Sequence, residues 1–243
     1  MKNIFIQPNG GLCNRLRFIC SYLKELMETK KYENTNIYIV WVVNEACNGK
    51  LEDYIQQIPN VYFIKKKENL HIDIFSSSIV KSQINKNFLQ NIPLKLNDSI
   101  YKKIKFIINK LENNYISLHI RKTDLEYYMI KNRNQKIMYN DFIKYIKENK
   151  GKKVYLATDN EETQKKFKKK FKNRVYVFKD IESSTKLRQT NLEHTIIDLF
   201  ICGLSNKFMG TKKSSFSCFI KLIFNLFIKK NPLKNLKTFH WIK

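Results

Sequence analysis

Three short stretches of this 243-residue chain carry residue types and spacings suited to holding a phosphorylated ligand. The first is "LHIRKTD", Leu118 to Asp124. If it ends a β-strand, the period of two puts Ser117, His119 and Arg121 on one face. His119 and Arg121 then stand near the open end, and Asp124 follows in the loop. A guanidinium offers a planar fork of donors that grips phosphate bidentately, which a lysine ammonium cannot copy. The second stretch, "ATDN", sets Asp159 and Asn160 where another strand stops. The third, "GTKKSSFS", places Lys212, Lys213, Ser214 and Ser215 just ahead of a helix, with Ser217 in its first turn. Free N–H groups and the dipole of a helix start favour an anion, and hydroxyl and ammonium groups add to the hold.

Each stretch alone has an ordinary reading. His119 could be a satisfied core histidine, Arg121 a partner of Asp124, and "KKSS" a cap. Together, at successive strand ends of one sheet, they favour a ligand site, because open parallel sheets collect ligands at their carboxyl edges. A fourth stretch, "PNGGLCNRLR" (Pro8 to Arg17), sets Gly10 and Gly11 side by side after an apolar run. Paired glycines let a backbone approach a ligand without Cβ interference. Asn14 is a candidate helix cap or ligand donor, and Arg15 and Arg17 lie near the positive helix end, where a pyrophosphate is favoured. The stretch is neither G-x-G-x-x-G nor G-x-x-x-x-G-K-[ST].

The elements that must position these residues follow from hydrophobic period. "NIFIQP" reads as a strand, the glycine turn follows, and then a helix with Leu16, Ile19, Cys20, Leu23, Leu26 and Met27 on one side. "NIYIVWVV" (36–43) and "VYFIK" (61–65) read as further strands. Residues 66–97 are polar and weakly periodic, and read as an irregular end to a first half. A helix follows over 98–111 with Asp98 as its cap. From Tyr115 the alternation is clear. Strands at 115–121, 153–159, 174–180 and 207–211 are followed by helices near 139–149, 161–171, 192–204 and 215–230. Apolar, β-branched strands alternating with helices predict parallel sheets covered on both faces. The economical architecture is α/β, two Rossmann-like halves facing across a cleft, 1–112 and 113–243.

Bulk properties narrow the partners. At 43% hydrophobic and 13% aromatic the chain is globular in composition. Its formal net charge of +25 suggests a polyanion partner on its face. Lysine, asparagine and isoleucine are heavy throughout, however, as expected of an A+T-rich coding sequence, and no nucleic-acid partner is expected. Only six arginines occur: Arg15, Arg17, Arg121, Arg133, Arg174 and Arg188. The five cysteines form no C-x-x-C pair and share no zinc spacing with the four histidines. With no signal-peptide pattern, they fit a reducing, cytoplasmic compartment. The apolar run 215–230 carries Lys221 and Asn225 and is too short to span a membrane. Ser217, Lys221 and Asn225 make one polar stripe on a helix read as core, the rival being peripheral membrane contact ending in Lys229 and Lys230.

The motifs also resemble a known family. "GGLCNRLR" is similar to the G-G-L-[GC]-N-R-L opening of fucosyltransferase-like proteins, and "HIRKTD" resembles the H-x-R-R-x-D motif of the fucosyltransferase superfamily. "YLATDNEETQKKFKKKF" resembles that superfamily's second motif. "EHTIIDLFICGLSNKFMGTKKSSFS" resembles its third, and "WVVNEACNGKLEDYI" a segment of bacterial and viral relatives. The resemblance implies a GT-B-like fold and inverting transfer of fucose from GDP-fucose to a glycan or other hydroxyl acceptor, without a catalytic metal. No D-x-D motif occurs. Carried over by position, Arg121 would hold the β-phosphate, with His119 beside it on the nucleotide. Asp198 would bind the guanine or orient the site, and Ser214, Ser215 and Ser217 would approach the phosphates. Asp159 would have a structural or orienting role, and Gly10, Gly11, Asn14 and Arg15 would complete the donor side or shape the cleft.

The chain departs from the pattern at Lys122, where the motif has arginine, and at Asn160, where it has aspartate. Asp124 and Glu126 are the candidates for the base that activates the acceptor. Three alternatives share parts of this evidence. They are transfer from another nucleotide sugar, a basic nucleic-acid-binding protein, and a sugar-nucleotide-binding protein without turnover.

Overall fold

A computed structural model of the chain describes residues 1–75, 95–122, 139–182, 190–212 and 214–227. The chain divides into two compact units within one helix, at Ile100 and Tyr101; the 112/113 boundary read from sequence falls just after that helix.

The first unit holds strands β1 (Lys2–Gln7), β2 (Thr35–Val40), β3 (Val61–Ile64) and β4 (Ile74–Phe75), all parallel, in the order β3-β2-β1-β4. Isoleucines stack in register across it, Ile4 beside Ile37 and Ile6 beside Ile39. With Leu16, Ile19, Cys20, Leu23 and Leu26 of helix α1 (Leu12–Glu28) they are buried and form the core. β4 lies inside the stretch read from sequence as irregular. It is two residues long and is a strand by virtue of pairing Ile6 and Gln7 of β1.

Helix α2 (Asp98–Lys110) turns Ile100, Ile104 and Ile108 inward at a spacing of four. Its cap is Asn97, whose Oδ1 accepts the Ile100 N–H at 3.0 Å, and Asp98 is already inside the first turn.

The second unit alternates β5 (Tyr115–Ile120), α3 (Tyr139–Glu148), β6 (Lys153–Thr158), α4 (Glu161–Phe171), β7 (Val175–Tyr176), α5 (Leu192–Gly203), β8 (Lys207–Gly210) and α6 (Ser215–Phe227). Its parallel sheet has the order β7-β6-β5-β8, the same wiring as the first. β7 is far shorter than the 174–180 run suggested. One face of this sheet is dry. Ile116, Leu118, Ile120, Val154, Leu156 and Val175 pack with Phe142, Ile146 and Phe167 of α3 and α4.

The other face is laced with polar groups that bond to α5 and its neighbourhood. Tyr115 Oη donates to the Ile201 carbonyl at 2.7 Å, and Ser117 Oγ to that of Cys202 at 3.0 Å. Helices α5 and α6 pack closely, for a Cβ on Gly203 would stand 2.4 Å from Ile223 Cγ2. Phe216, Phe219, Ile220 and Ile223 of α6 are buried and Lys221 and Asn225 are exposed, as in a core helix with a polar stripe, but Ser217, the stripe's first member, is buried. Among the described residues no helix is long and apolar enough to cross a membrane.

Candidate functional site

In a sheet ordered third-second-first-fourth, the chain leaves the first and fourth strands in opposite directions, and a crevice opens between their carboxyl ends. In the second unit those strands are β5 and β8. Their ladder runs Ile116↔Lys207 to His119↔Gly210 and stops there.

His119 is the last β5 residue paired to β8. It is 5% exposed, its Nδ1 and Ser217 Oγ share a hydrogen bond of 2.6 Å, and its ring lies 4.7 Å from that of Phe216. Burial, with the Arg121 charge adding to it, drives its pKa down to about 3, so the ring is neutral at working pH. Arg121 follows, half-buried, with its backbone N–H given to Thr211 Oγ1 at 3.0 Å. Ser214 caps α6, its Oγ accepting the Ser217 N–H at 3.4 Å, and Ser215 opens the helix half-buried. Thus His119, Ser217 and Ser214 come together at the switch point, with Arg121 at its edge. Asp124, Glu126 and Lys213 lie outside the described residues.

The neighbouring strand end is a frame. Asp159 Oδ1 accepts the Lys122 backbone N–H at 2.9 Å, tying the ends of β5 and β6. Asn160 caps α4, accepting from Thr163 N–H at 2.9 Å and Thr163 Oγ1 at 2.8 Å. Asparagine caps a helix as well as aspartate does, which accounts for its departure from the motif. The Lys122 ammonium lies 2.6 Å from Glu162 Oε2 and holds that carboxyl below its ordinary range. Its charge is therefore met within the protein, while Arg121 and Lys212 are the other cations at these strand ends among the described residues.

Asp198 sits deeper, 4% exposed on α5. It accepts a hydrogen bond from Tyr155 Oη at 2.6 Å, and its other oxygen lies 3.5 Å from His194 Nε2. These contacts suit an orienting role; the geometry gives the carboxylate two protein partners rather than an open edge for a base. Burial raises its pKa from 3.8 to about 6, against the lowering effects of His194 and Tyr155. A carboxyl raised on folding binds its proton more tightly in the native state, so its stabilisation is present below pH 3.8 and is lost as pH rises through 6. His119 is depressed and acts oppositely, its contribution being full above 6.5 and lost as pH falls. Asp198→Asn removes the first effect and leaves the second. Unfolding free energies from urea titrations between pH 4 and 6.5 should then climb more steeply with pH than in the wild type, by up to about 3 kcal/mol across the window. Parallel curves would remove the assigned titration.

In the first unit the glycine turn has a definite form. Gly10 adopts φ +80°, open to glycine, and Gly11 is the N-cap of α1 with no side-chain cap bond. Asn14 is therefore not the cap; it stands exposed in the first turn. Arg15 points inward. It is fully buried, and donates from Nε to Gly10 O (2.7 Å), from Nη1 to Val42 O (2.6 Å) and from Nη2 to Asn44 Oδ1 (3.0 Å), with its guanidinium 4.7 Å from the centre of the Trp41 ring. Its fork shapes the turn from within instead of meeting a phosphate. Gln7, at the end of β1, is buried and its Oε1 has no hydrogen-bond partner among the described residues, a cost of about 1–3 kcal/mol unless a donor reaches it.

Sequence reasoning missed Gln7, Gly210, Thr211 and Tyr155. Gly210 and Thr211 lie inside the "GTKKSS" stretch that drew attention to its lysines and serines; Tyr155 had no local signal.

The family model for GDP-fucose protein O-fucosyltransferase matches residues 19–223. Solved structures share the fold at low identity. The NodZ α-1,6-fucosyltransferase soaked with GDP-fucose superposes with TM-score 0.60 and 13% identity over 91% of this chain and 93% of that one. The Bradyrhizobium NodZ structure gives 0.60 and 13% over 92% and 94%. NodZ co-crystallised with GDP gives 0.60 and 12% over 92% and 93%. No curated protein matches the chain in sequence. The fold is thus the GT-B-like one implied by the motifs, with two four-stranded parallel sheets. With the family match running from within α1 to within α6, the chain is a glycosyltransferase of the fucosyltransferase superfamily and belongs to the GDP-fucose protein O-fucosyltransferase family.

Proposed function

We propose that this enzyme moves fucose from GDP-fucose to a hydroxyl of a glycan or glycoconjugate, with inversion and without a catalytic metal, and that the second unit binds the donor. The observation that carries the reading is Arg121, a half-buried arginine at the end of β5, two residues after a neutral, buried His119 that is bonded to the first turn of α6. As the acceptor oxygen bonds to the sugar's anomeric carbon, the bond from that carbon to the β-phosphate oxygen breaks. The electron pair leaves with GDP, and the acceptor proton passes to a base, for which Asp124 and Glu126 are the candidates. Charge grows on the diphosphate as the bond lengthens. Preorganised donors aimed at that charge accelerate the step, and Arg121 with the N–H groups opening α6 are such donors.

Neutral His119 suits a ligand hydrogen bond without adding charge. Gln7 Oε1 gives the first unit an acceptor that is unmet among the described residues, which a sugar's hydroxyl group could satisfy.

Thermal unfolding with GDP, GDP-fucose, GDP-mannose and UDP-sugars, each with and without EDTA, tests this reading. Guanosine ligands at 100-fold their dissociation constants should add about 2.7 kcal/mol, a shift of several degrees for a chain of this size, undiminished by EDTA. Equal shifts with UDP-sugars would change the donor, loss of the shift in EDTA would bring in a metal, and no shift with any nucleotide would overturn the proposal.

A further inference from the structure

We infer that Thr211 is a positioning residue that sets where Arg121 leaves the sheet, an inference that rests on the donor site proposed above. The β5–β8 ladder ends at His119↔Gly210, because the two strands must separate beyond that point to leave a crevice. Separation strands the next backbone groups of β5, and a buried backbone group without a partner is costly. Thr211 answers for them. Its backbone N–H donates to the His119 carbonyl at 3.0 Å, its Oγ1 donates to the same carbonyl at 3.0 Å, and that Oγ1 accepts the Arg121 N–H at 3.0 Å.

One hydroxyl thus gives its proton to the carbonyl that precedes Ile120 and its lone pair to the N–H that follows it. It continues the ladder by one rung after the strands have begun to diverge. Thr211 is itself buried, so water does not compete for these bonds. A hydroxyl is required in this place; a β-branched methyl of the same shape has neither proton nor lone pair to give. Because Arg121 stands at the end of its strand, the rung fixes the origin from which its guanidinium reaches the diphosphate.

The test compares wild type, Thr211→Val and Thr211→Ser by calorimetric titration with GDP and with GMP. If Arg121 holds the β-phosphate and Thr211 holds Arg121, the valine variant loses about tenfold in GDP affinity while GMP affinity stays within twofold, and serine restores GDP binding to within threefold of wild type. Unchanged GDP affinity in the valine variant overturns the inference. So does equal weakening toward GDP and GMP, which marks general loosening, or a serine variant as impaired as valine, which marks packing by the methyl group. Amide hydrogen exchange at Arg121, measured on the same three proteins without ligand, separates this inference from the donor reading. A wild type that does not distinguish GDP from GMP removes the phosphate role. The rung then stands on protection of the Arg121 amide in wild type and serine with loss in valine, and falls if all three exchange alike.

Discussion

Arg121→Lys should lower the rate of fucosyl transfer by roughly 10²–10³-fold while the protein stays folded, the loss expected when one preorganised donor to a developing anion is removed. Lysine keeps the charge and loses the fork. A single ammonium cannot make two parallel N–H···O bonds to a phosphate group, and its stronger hydration adds to the cost of bringing it against the leaving group. Stability should change little, because Arg121 is half-buried and its backbone N–H, the part bonded to Thr211, is the same in lysine. Single-turnover rates with GDP-fucose, set beside melting temperatures, check both halves of the expectation. Turnover near wild type would show that the reaction needs only a positive charge at this place, and the bidentate role would be withdrawn.

Gly210→Ala is the second large effect, and it acts by displacement. A Cβ at Gly210 would lie 2.6 Å from Phe208 Cζ, 2.7 Å from Ser217 Oγ and 2.8 Å from Ser217 Cβ. The Phe208 ring can swing its far end aside. Ser217 Cβ is fixed to the first turn of α6 and yields only if that turn moves. Such a shift lengthens the 2.6 Å bond between Ser217 and His119 and leaves a buried imidazole nitrogen without its partner. Overpacking of this kind typically costs 1–3 kcal/mol. The loss of activity should exceed what stability explains, by about 10- to 10²-fold in kcat, since misplacement by an ångström near reacting groups is that expensive. Ser217→Ala is the control, removing the hydrogen bond without pushing the helix. Wild-type turnover and melting temperature in Gly210→Ala would show that the contact relaxes freely.

Which parts of this arrangement were legible in the sequence follows from the range of the interactions that make it. Local period and capping gave the strand–helix alternation after Tyr115. They gave α4 at Glu161–Phe171, and "ATDN" marked the strand end before it, though not that Asn160 caps the helix. The pairing of Ser117 with His119 on one polar face came from the pleat alone, and their bonds to Cys202 and Ser217 agree with it.

Longer-range features had no local signature. Ile74 and Phe75 are a strand only because β1, nearly seventy residues earlier, offers a free edge. Arg15 stood out as an arginine in a lysine-rich chain, but its acceptors at Val42 and Asn44 lie 27 and 29 residues away, and nothing near it says that its fork points inward. Thr211 is one hydroxyl among several in its stretch until its partner 90 residues earlier is placed beside it. Asn14 and Asp98 were plausible caps by type, and each was displaced by a neighbour, Gly11 and Asn97, one to three residues upstream.

The strand order of the second sheet also bears on how the molecule is made. The tie between Lys122 and Asp159 spans 37 residues of chain, whereas the bond between His119 and Ser217 spans 98. Contacts of short sequence separation form first, because long loops cost more entropy to close and return their energy late. β5, β6 and β7 can therefore pair while β8 is still to come, and until it arrives β5 offers an open edge along six buried residues. An edge of that kind recruits other chains. The strand that completes the crevice is thus also the one that covers the long buried strand's edge, leaving a shorter edge, its own four residues, in its place. A nascent chain gains protection from association at the same step at which it gains its site.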